Sequence, residues 1–272
     1  MIIERQLKTI VLSILTLLFP FTAGAAGDSI EIVLPARKAS FTLAELKKAL
    51  PTQVVAIDDP VYGRPMKFDA FALTDLFKLV DAGLAGGDEI VFQTRDGYSP
   101  TIPAAELGRH AAFLAYREHG KKGFERVPQG KALVSPSPYY VVWQEGRQLG
   151  ETFPWPYQLV RIELVDFARK YDKLYPKDAR ADSTEMKGFK TFKTHCLRCH
   201  SVNLQGGDLG PELNVPRNVT EYWSVGTLRD FIQNATSFRA RSKMPSFEKT
   251  LSTDEIAEVV AYLELMKGLK SQ

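Results

Sequence analysis

The run Cys196-Leu197-Arg198-Cys199-His200 constrains this chain more than any other feature of its sequence. A C-x-x-C-H run is typical of a site at which haem is attached covalently. Two thiols about one helical turn apart can each add to a vinyl group of the porphyrin, and the imidazole that follows can bind the iron. The motif therefore predicts one covalently attached haem c per chain, with Cys196 and Cys199 as thioethers and His200 as an axial ligand.

Other uses of the two thiols fit the sequence less well. A thioredoxin-type redox pair would be expected in a βαβ context and does not require the histidine. Half of a zinc site would need a second pair of thiolates or spaced histidines. Cys196 and Cys199 are the only cysteines of the chain, and no histidine follows His200. Haem attachment is the interpretation that uses all three side chains.

The N-terminus has the composition of an export signal. Arg5 and Lys8 precede an apolar stretch over residues 10–19, which is too short to span a bilayer comfortably. Small residues follow at 23–25, as at a signal-peptide cleavage site. The sequence thus predicts a cleaved signal peptide and a periplasmic protein without a stable membrane span, with an uncleaved anchor as the alternative.

The composition and the position of one charged segment predict two domains. The chain has 272 residues, of which 44% are hydrophobic and 25% charged, and its net charge of +3 does not indicate a nucleic-acid partner. Residues 171–184 are rich in charge, contain Pro176 and lack apolar periodicity, which indicates a linker. We predict a signal peptide over 1–26, an α+β domain over 27–170, a linker over 171–182 and a haem domain over 183–272.

Two helices are predicted in the C-terminal half. Gly188, Phe192 and Cys196 lie four residues apart, so they share one face of a helix that Ser183 or Thr184 could cap. Residues 253–269 carry apolar residues at helical spacing, and Ser252 or Thr253 is a plausible N-cap before two acidic residues. The haem motif therefore follows directly on the first helix, and the last helix closes the chain.

With these features, residues 183–270 resemble a class I cytochrome c. In that family a glycine and an aromatic residue of the first helix pack against an aromatic residue of the last, and Gly188, Phe192 and Tyr262 match those positions. The resemblance implies an all-α haem domain exported from the cytoplasm. It also implies that Met244, in a Met-Pro pair before the last helix, is the second axial iron ligand. A neutral thioether ligand raises the reduction potential.

Four further residues are expected at the haem site, one of them beside the imidazole and three beside the propionates. The resemblance implies that the Pro211 carbonyl accepts a hydrogen bond from the proximal imidazole, although Gly-Pro is also an ordinary turn sequence. Trp223, Arg239 and Arg241 carry N–H donors suited to the haem propionates.

The N-terminal half mixes β-like and helical segments. Alternating or continuous apolar runs predict strands at 30–34, 53–57, 89–94, 139–143 and 159–165, and helical spacing predicts helices at 43–50 and 73–80, with Thr42 and Thr74 as possible caps. Residues 41–46, 73–77 and 95–103 resemble the sulfite-oxidase-type molybdopterin-binding fold. That family binds molybdenum through a cysteine, and this half has none, so we expect the molybdenum site to have been lost. The predicted architecture is an α+β domain followed by an all-α class I cytochrome c domain.

Two functions fit these features. The first is a periplasmic electron carrier whose N-terminal domain docks it to a redox partner. The second is a cytochrome-containing oxidoreductase, or the electron-transfer subunit of one, with a substrate or cofactor site in the N-terminal domain. His110 and His119 lack the companions of a metal site, and no catalytic residue can be named. An acidic partner would suit the basic residues near the haem motif, although a solvated basic face is the simpler interpretation; these are Lys187, Lys190, Lys193, Arg198, Lys243 and Lys249.

Overall fold

The computed structural model describes residues 29–84, 88–150, 153–177 and 179–271. The predicted signal segment therefore lies outside the described residues. The N-terminal part contains, in chain order, β1 (Ser29–Leu34), β2 (Arg37–Thr42), α1 (Leu43–Ala49), β3 (Gln53–Asp59), β4 (Arg64–Ala72), α2 (Leu73–Leu79), β5 (Asp88–Thr94), β6 (Thr101–Pro103), β7 (Ala112–Glu118), β8 (Val127–Gln129), β9 (Ala132–Val134), β10 (Tyr140–Trp143), β11 (Leu159–Asp166) and α3 (Phe167–Lys170). The C-terminal part contains α4 (Thr184–His195), β12 (Ser201–Val202), β13 (Gln205–Gly206), α5 (Val225–Gln233), α6 (Ala235–Phe238) and α7 (Thr253–Met266).

Two sheets form the frame of the N-terminal domain. One has the strand order β2-β1-β11-β5-β6 and the other β10-β7-β4-β3. β1 pairs with β11 in parallel, and the other pairs of these sheets are antiparallel. Side chains of both sheets meet in one core, which includes Ile32, Phe92, Leu114 and Trp143. Because α1 and α2 also contribute to this core, the domain is a strand-rich α+β unit.

The helix boundaries follow from capping. Thr42 caps α1 in a capping box with Glu45, in which the Thr42 N–H donates to Glu45 Oε2 at 2.8 Å. The prediction of Thr74 as a possible cap of α2 is wrong. β4 passes directly into the helix at Ala72, so α2 begins at Leu73 without a side-chain cap.

Close contact between α4 and α7 organises the C-terminal domain. A Cβ atom at Gly188 would lie 1.9 Å from the Glu258 carbonyl oxygen, so α7 lies directly on the backbone of α4 at this point. The Phe192 and Tyr262 rings are 5.2 Å apart beside the same contact. Ser183 caps α4, and its hydroxyl accepts from the Met186 N–H at 3.2 Å. The chain is thus a strand-rich N-terminal region followed by a helical C-terminal domain.

The segment predicted as a linker packs against both domains. Tyr171 and Leu174 are buried in the core of the helical domain, and the Tyr262 hydroxyl donates to the Leu174 carbonyl at 2.8 Å. Val91 and Val165, on two strands of the N-terminal sheet, belong to the same apolar cluster. A continuous core therefore runs from the sheet into the helical domain.

An ion pair reinforces this junction. Lys193 of α4 pairs with Glu89 of β5, whose side chain is only 8% exposed, and Thr101 donates its hydroxyl proton to the same carboxylate at 2.5 Å. The Lys193 ammonium also lies 3.8 Å from the centroid of the Phe167 ring. A partly buried pair of this kind loses much of its stabilisation if either partner is removed. The position of the helical domain on the sheet is thus specified by charge as well as by apolar packing.

Candidate functional site

The C-x-x-C-H motif forms a turn that directly continues α4. The Cys196 N–H donates to the Phe192 carbonyl at 2.8 Å, and the Cys199 and His200 N–H groups both donate to the Cys196 carbonyl, at 3.0 and 2.9 Å. This turn places both thiols and the imidazole on the wall of one cavity. The spacing of the three residues in the sequence therefore places their side chains on the same side of the turn.

His200 is oriented by two neighbours. Its Nδ1 lies 2.8 Å from the Pro211 carbonyl oxygen, so the tautomer with a proton on Nδ1 can donate there and leave Nε2 available as a ligand. Gly210 packs against the ring, and a Cβ atom there would be 2.5 Å from His200 Cε1. Burial lowers the pKa of His200, which favours the neutral imidazole that can bind a metal.

The two thiols are not set up as a reactive redox pair. Burial, followed by the neighbouring Cys199, raises the pKa of the Cys196 thiol to about 12. Burial likewise raises the pKa of the Cys199 thiol to about 11. Reactive cysteines of disulfide oxidoreductases have lowered pKa values because the thiolate is the nucleophile. The environment of this pair is the opposite, and it argues against dithiol–disulfide exchange.

The cavity has the size and lining that a large apolar cofactor requires. Its volume is about 1230 Å³, above the roughly 300–1,000 Å³ of most small-molecule sites. Much of its wall is aliphatic or aromatic, including Phe192, Leu213, Leu228, Ile232, Val259 and Leu263. A porphyrin needs such an apolar slot with thiols and an imidazole at its wall, so the residues present fit haem c.

The remaining residues predicted at the site also line this cavity. Met244 is half-buried there, with its N–H donating to the Ser242 hydroxyl at 3.1 Å. Trp223, Arg239 and Arg241 line the same cavity. The Arg239 guanidinium lies 6.0 Å from the Trp223 ring centroid, which keeps a cation beside the indole. The fold thus brings together both cysteines, both candidate axial ligands and the candidate propionate donors.

A chain of buried asparagines, missed at the sequence level, fixes the segment that follows the motif. Asn203, Asn214 and Asn218 are at most 1% exposed. Asn214 Nδ2 donates to Asn203 Oδ1 and to the Met266 carbonyl, both at 2.8 Å, and Asn218 Nδ2 donates to the Leu263 carbonyl at 2.8 Å. The Asn214 and Asn218 amides thus donate to two carbonyl groups in the last turn of α7, and the Leu263 carbonyl also accepts from the Lys267 N–H at the helix end. The loop and the last helix are therefore held as one unit.

Residues of the N-terminal domain form one side of the cavity. They include Asp96, Tyr98, Gln129, Trp155 and Tyr157. Their place beside the motif could not be predicted from local patterns, because these residues lie 39 or more positions before it and reach it only through the packing of the two domains.

The two histidines of the N-terminal domain and the basic residues near the motif do not form one site. His119 Nδ1 is 2.7 Å from Asp69 Oδ1, and His110 Nδ1 is 3.0 Å from Glu145 Oε1, so the two histidines contact different carboxylates. Among the basic residues near the motif, Lys193 pairs with Glu89. By contrast, Arg198 and Lys243 line the cavity.

Comparison with known families agrees with this geometry. Residues 183–263 match the family described as cytochrome c oxidase, cbb3-type, subunit III. The match spans the C-x-x-C-H turn, Met244 and most of α7, and it identifies the C-terminal part as a c-type cytochrome domain, a haem-binding electron-transfer module. No curated protein matched the chain significantly. Within the part of the chain that the structure describes, no helix combines the length and apolar character needed to cross a membrane.

Proposed function

We propose that the chain is a periplasmic monohaem cytochrome of the class I type that exchanges single electrons with a redox partner. The observation that carries the proposal is the placement of Cys196, Cys199, His200 and Met244 on one apolar cavity. The N-terminal domain would hold and dock the cytochrome. A shared core and the Lys193–Glu89 ion pair support that role, because they join the domains into one body. The basic and apolar N-terminal segment supports export.

Each cavity residue has a defined part in this function. A covalently bound haem would supply an iron that takes up and releases one electron. Cys196 and Cys199 would attach it as thioethers, and His200 would bind through Nε2 with its Nδ1 proton held by Pro211. The Met244 thioether would supply a second protein ligand and favour the reduced state, since it is a soft and neutral ligand.

The charged wall of the cavity would receive the propionates. The indole N–H of Trp223 and the guanidinium groups of Arg239 and Arg241 are donors of the required kind. Arg239 is restrained by contacts with the Trp223 and Phe231 rings, at 6.0 and 5.7 Å from their centroids. A restrained cation loses less entropy when it binds an anionic group.

Metal content and visible spectra of the protein from a periplasmic fraction test the proposal. We expect one iron per chain, no molybdenum and a low-spin c-type spectrum that changes on reduction. Stoichiometric molybdenum would instead establish the enzyme alternative, with a cofactor site in the N-terminal domain. Absence of covalently bound haem from the exported protein would refute the assignment as a cytochrome.

We further propose that the partner carries acidic residues where it contacts the mouth of the cavity, which is the exposed edge formed by Arg239, Arg241 and Lys243. Arg239, Arg241 and Lys243 line the cavity close together in the chain, and Phe238 beside them is 47% exposed. Cations next to exposed aromatic side chains are favourable for a transient interface, because the charges steer encounter and the rings supply contact area.

The charge of this mouth should be visible in electron-transfer rates. Oxidation of the reduced protein by ferricyanide, an anion, should slow severalfold as ionic strength rises, because salt screens the attraction. Lys243→Gln should lower the low-salt rate by about twofold, whereas Lys78→Gln, on a remote helix of the N-terminal domain, should leave it unchanged. Stopped-flow measurements at two salt concentrations decide the matter. Equal rates for all three proteins and both salts would rule out electrostatic docking at this surface.

A further inference from the structure

The turn between β5 and β6 is docked on the haem motif by its backbone. The Ser99 N–H donates to the Arg198 carbonyl at 2.7 Å, and the Asp208 N–H donates to the Gly97 carbonyl at 3.0 Å. Arg198 lies between the two cysteines, and residue 208 is two positions before the glycine that packs on His200. The turn therefore contacts both segments that shape the attachment site.

Gly97 makes this approach possible. Its φ of +89° is in the region that favours glycine, and a Cβ atom there would lie 1.8 Å from Asp208 Oδ1 and 2.9 Å from the Leu209 N–H nitrogen. Any other residue would push the turn away from the loop. The close fit of the two domains at this point thus depends on a glycine at position 97.

Asp96 brings a carboxylate to the cavity on this turn. Its Oδ2 accepts from Gln129 Nε2 at 2.6 Å, and its Oδ1 accepts from the Thr94 hydroxyl at 2.6 Å and from the Tyr98 N–H at 3.2 Å. Three donors hold the carboxylate in place. The side chain is therefore a fixed negative charge.

Asp96 is also the single acidic residue among the described residues that line the cavity. The lining cations are Arg147, Arg198, Arg239, Arg241 and Lys243. Arg147 is paired with Asp58 at 3.0 Å, and the Arg198 guanidinium donates to the Thr194 carbonyl at 2.5 Å. In the described part of the chain, the charged side chains that line the cavity are otherwise positive, so the Asp96 carboxylate is the one that can favour a positive charge on a bound group.

We propose that residues 96–98 of the N-terminal domain complete the haem site, covering it beside Cys199 and lowering the reduction potential through the Asp96 carboxylate. The inference rests on the proposed haem attachment. A fixed negative charge favours the oxidised iron, which carries one more positive charge than the reduced iron. Low polarity around the cavity weakens screening and so strengthens the effect. The N-terminal domain thereby sets a property of the cytochrome in addition to holding it.

The midpoint potential of full-length variants tests the proposal. Asp96→Asn keeps the shape and an acceptor oxygen but removes the charge, and it should increase the equilibrium constant for reduction about threefold to tenfold, where tenfold corresponds to ~59 mV. Asp96→Glu keeps the charge and should stay near the wild-type value. Asp75→Asn is the matched control, because it removes the same charge from α2, where Asp75 pairs with Lys78 at 3.1 Å and does not line the cavity.

Haem content and the visible spectrum are measured first in every protein, which separates the two proposals. A wild-type protein without covalent haem refutes the proposed function itself. If all proteins carry haem but Asp96→Asn has the potential of wild type and of Asp75→Asn, the electrostatic role of the turn is refuted. If Asp96→Glu and Asp96→Asn raise the potential equally, packing rather than charge is responsible and the proposal is again overturned. A rise confined to Asp96→Asn supports it.

Discussion

Replacing Cys196 and Cys199 together with serine should yield a polypeptide that carries no covalently bound haem. Serine is close to cysteine in size, but its hydroxyl does not add to the porphyrin vinyl groups, so both attachment bonds are lost. Each single variant should keep one thioether bond, so a fraction of its chains should still carry covalently bound haem. Haem-stained denaturing gels and intact-mass measurements of the exported protein give the result directly.

The single variants serve as controls for folding and export. Cys196 is buried at the end of α4 and Cys199 is half-buried, so the substitution at 196 should be the more disturbing to the core. A double variant that still shows the mass of protein plus haem would place the attachment elsewhere and would contradict the assignment of the motif. Loss of haem from the double variant, with partial retention in the singles, is the expected pattern.

Replacing Met244 with leucine should abolish the near-infrared sulfur-to-iron band of the oxidised protein and lower its midpoint potential on the order of 0.1 V. Leucine preserves the apolar volume but cannot bind iron, and the axial ligand is a principal determinant within a range of ~0.8 V. Near-infrared absorption and spectroelectrochemistry measure the two effects. The change should leave the covalent attachment intact, because the thioethers are independent of this ligand.

Met266→Leu is the matched control for this experiment. Met266 is fully buried at the end of α7, where it packs in the core of the helical domain and does not line the cavity. A Met-to-Leu exchange in a core costs about 1.5 kcal/mol or less, so the control protein should fold and keep its near-infrared band. A band that survives in the Met244 variant would show that another group binds the iron.

The haem site is readable from the sequence to the extent that its geometry is local. Cys196 to His200 lie within one turn after α4, so their spacing alone predicts that they share a face. Ser252, whose capping box with Glu255 starts α7, is another local signal, with the Glu255 N–H 3.2 Å from the Ser252 hydroxyl. Contacts of this kind depend on neighbours in the chain and need no knowledge of the fold.

The junction between the domains could not be predicted in the same way. Residues 171–182 are polar in composition, yet Tyr171 and Leu174 become buried because a second domain lies against them. Strands β4 and β7 could not be predicted from the sequence either. β4 begins with Arg-Pro and contains charged residues, and β7 is buried on both faces, so it lacks the alternation typical of a half-exposed strand. These features arise from long-range packing, which a local pattern does not encode.

The docking of residues 97–99 on the haem motif has a consequence for the order in which redox partners can bind. One side of the helical domain is covered by a turn of the same chain, which is bonded to it through Ser99 and Gly97. Foreign proteins would then share the remaining open side. The electron donor and the electron acceptor would then bind at the same surface, one after the other. Electron transfer through the haem would require the first partner to dissociate before the second binds.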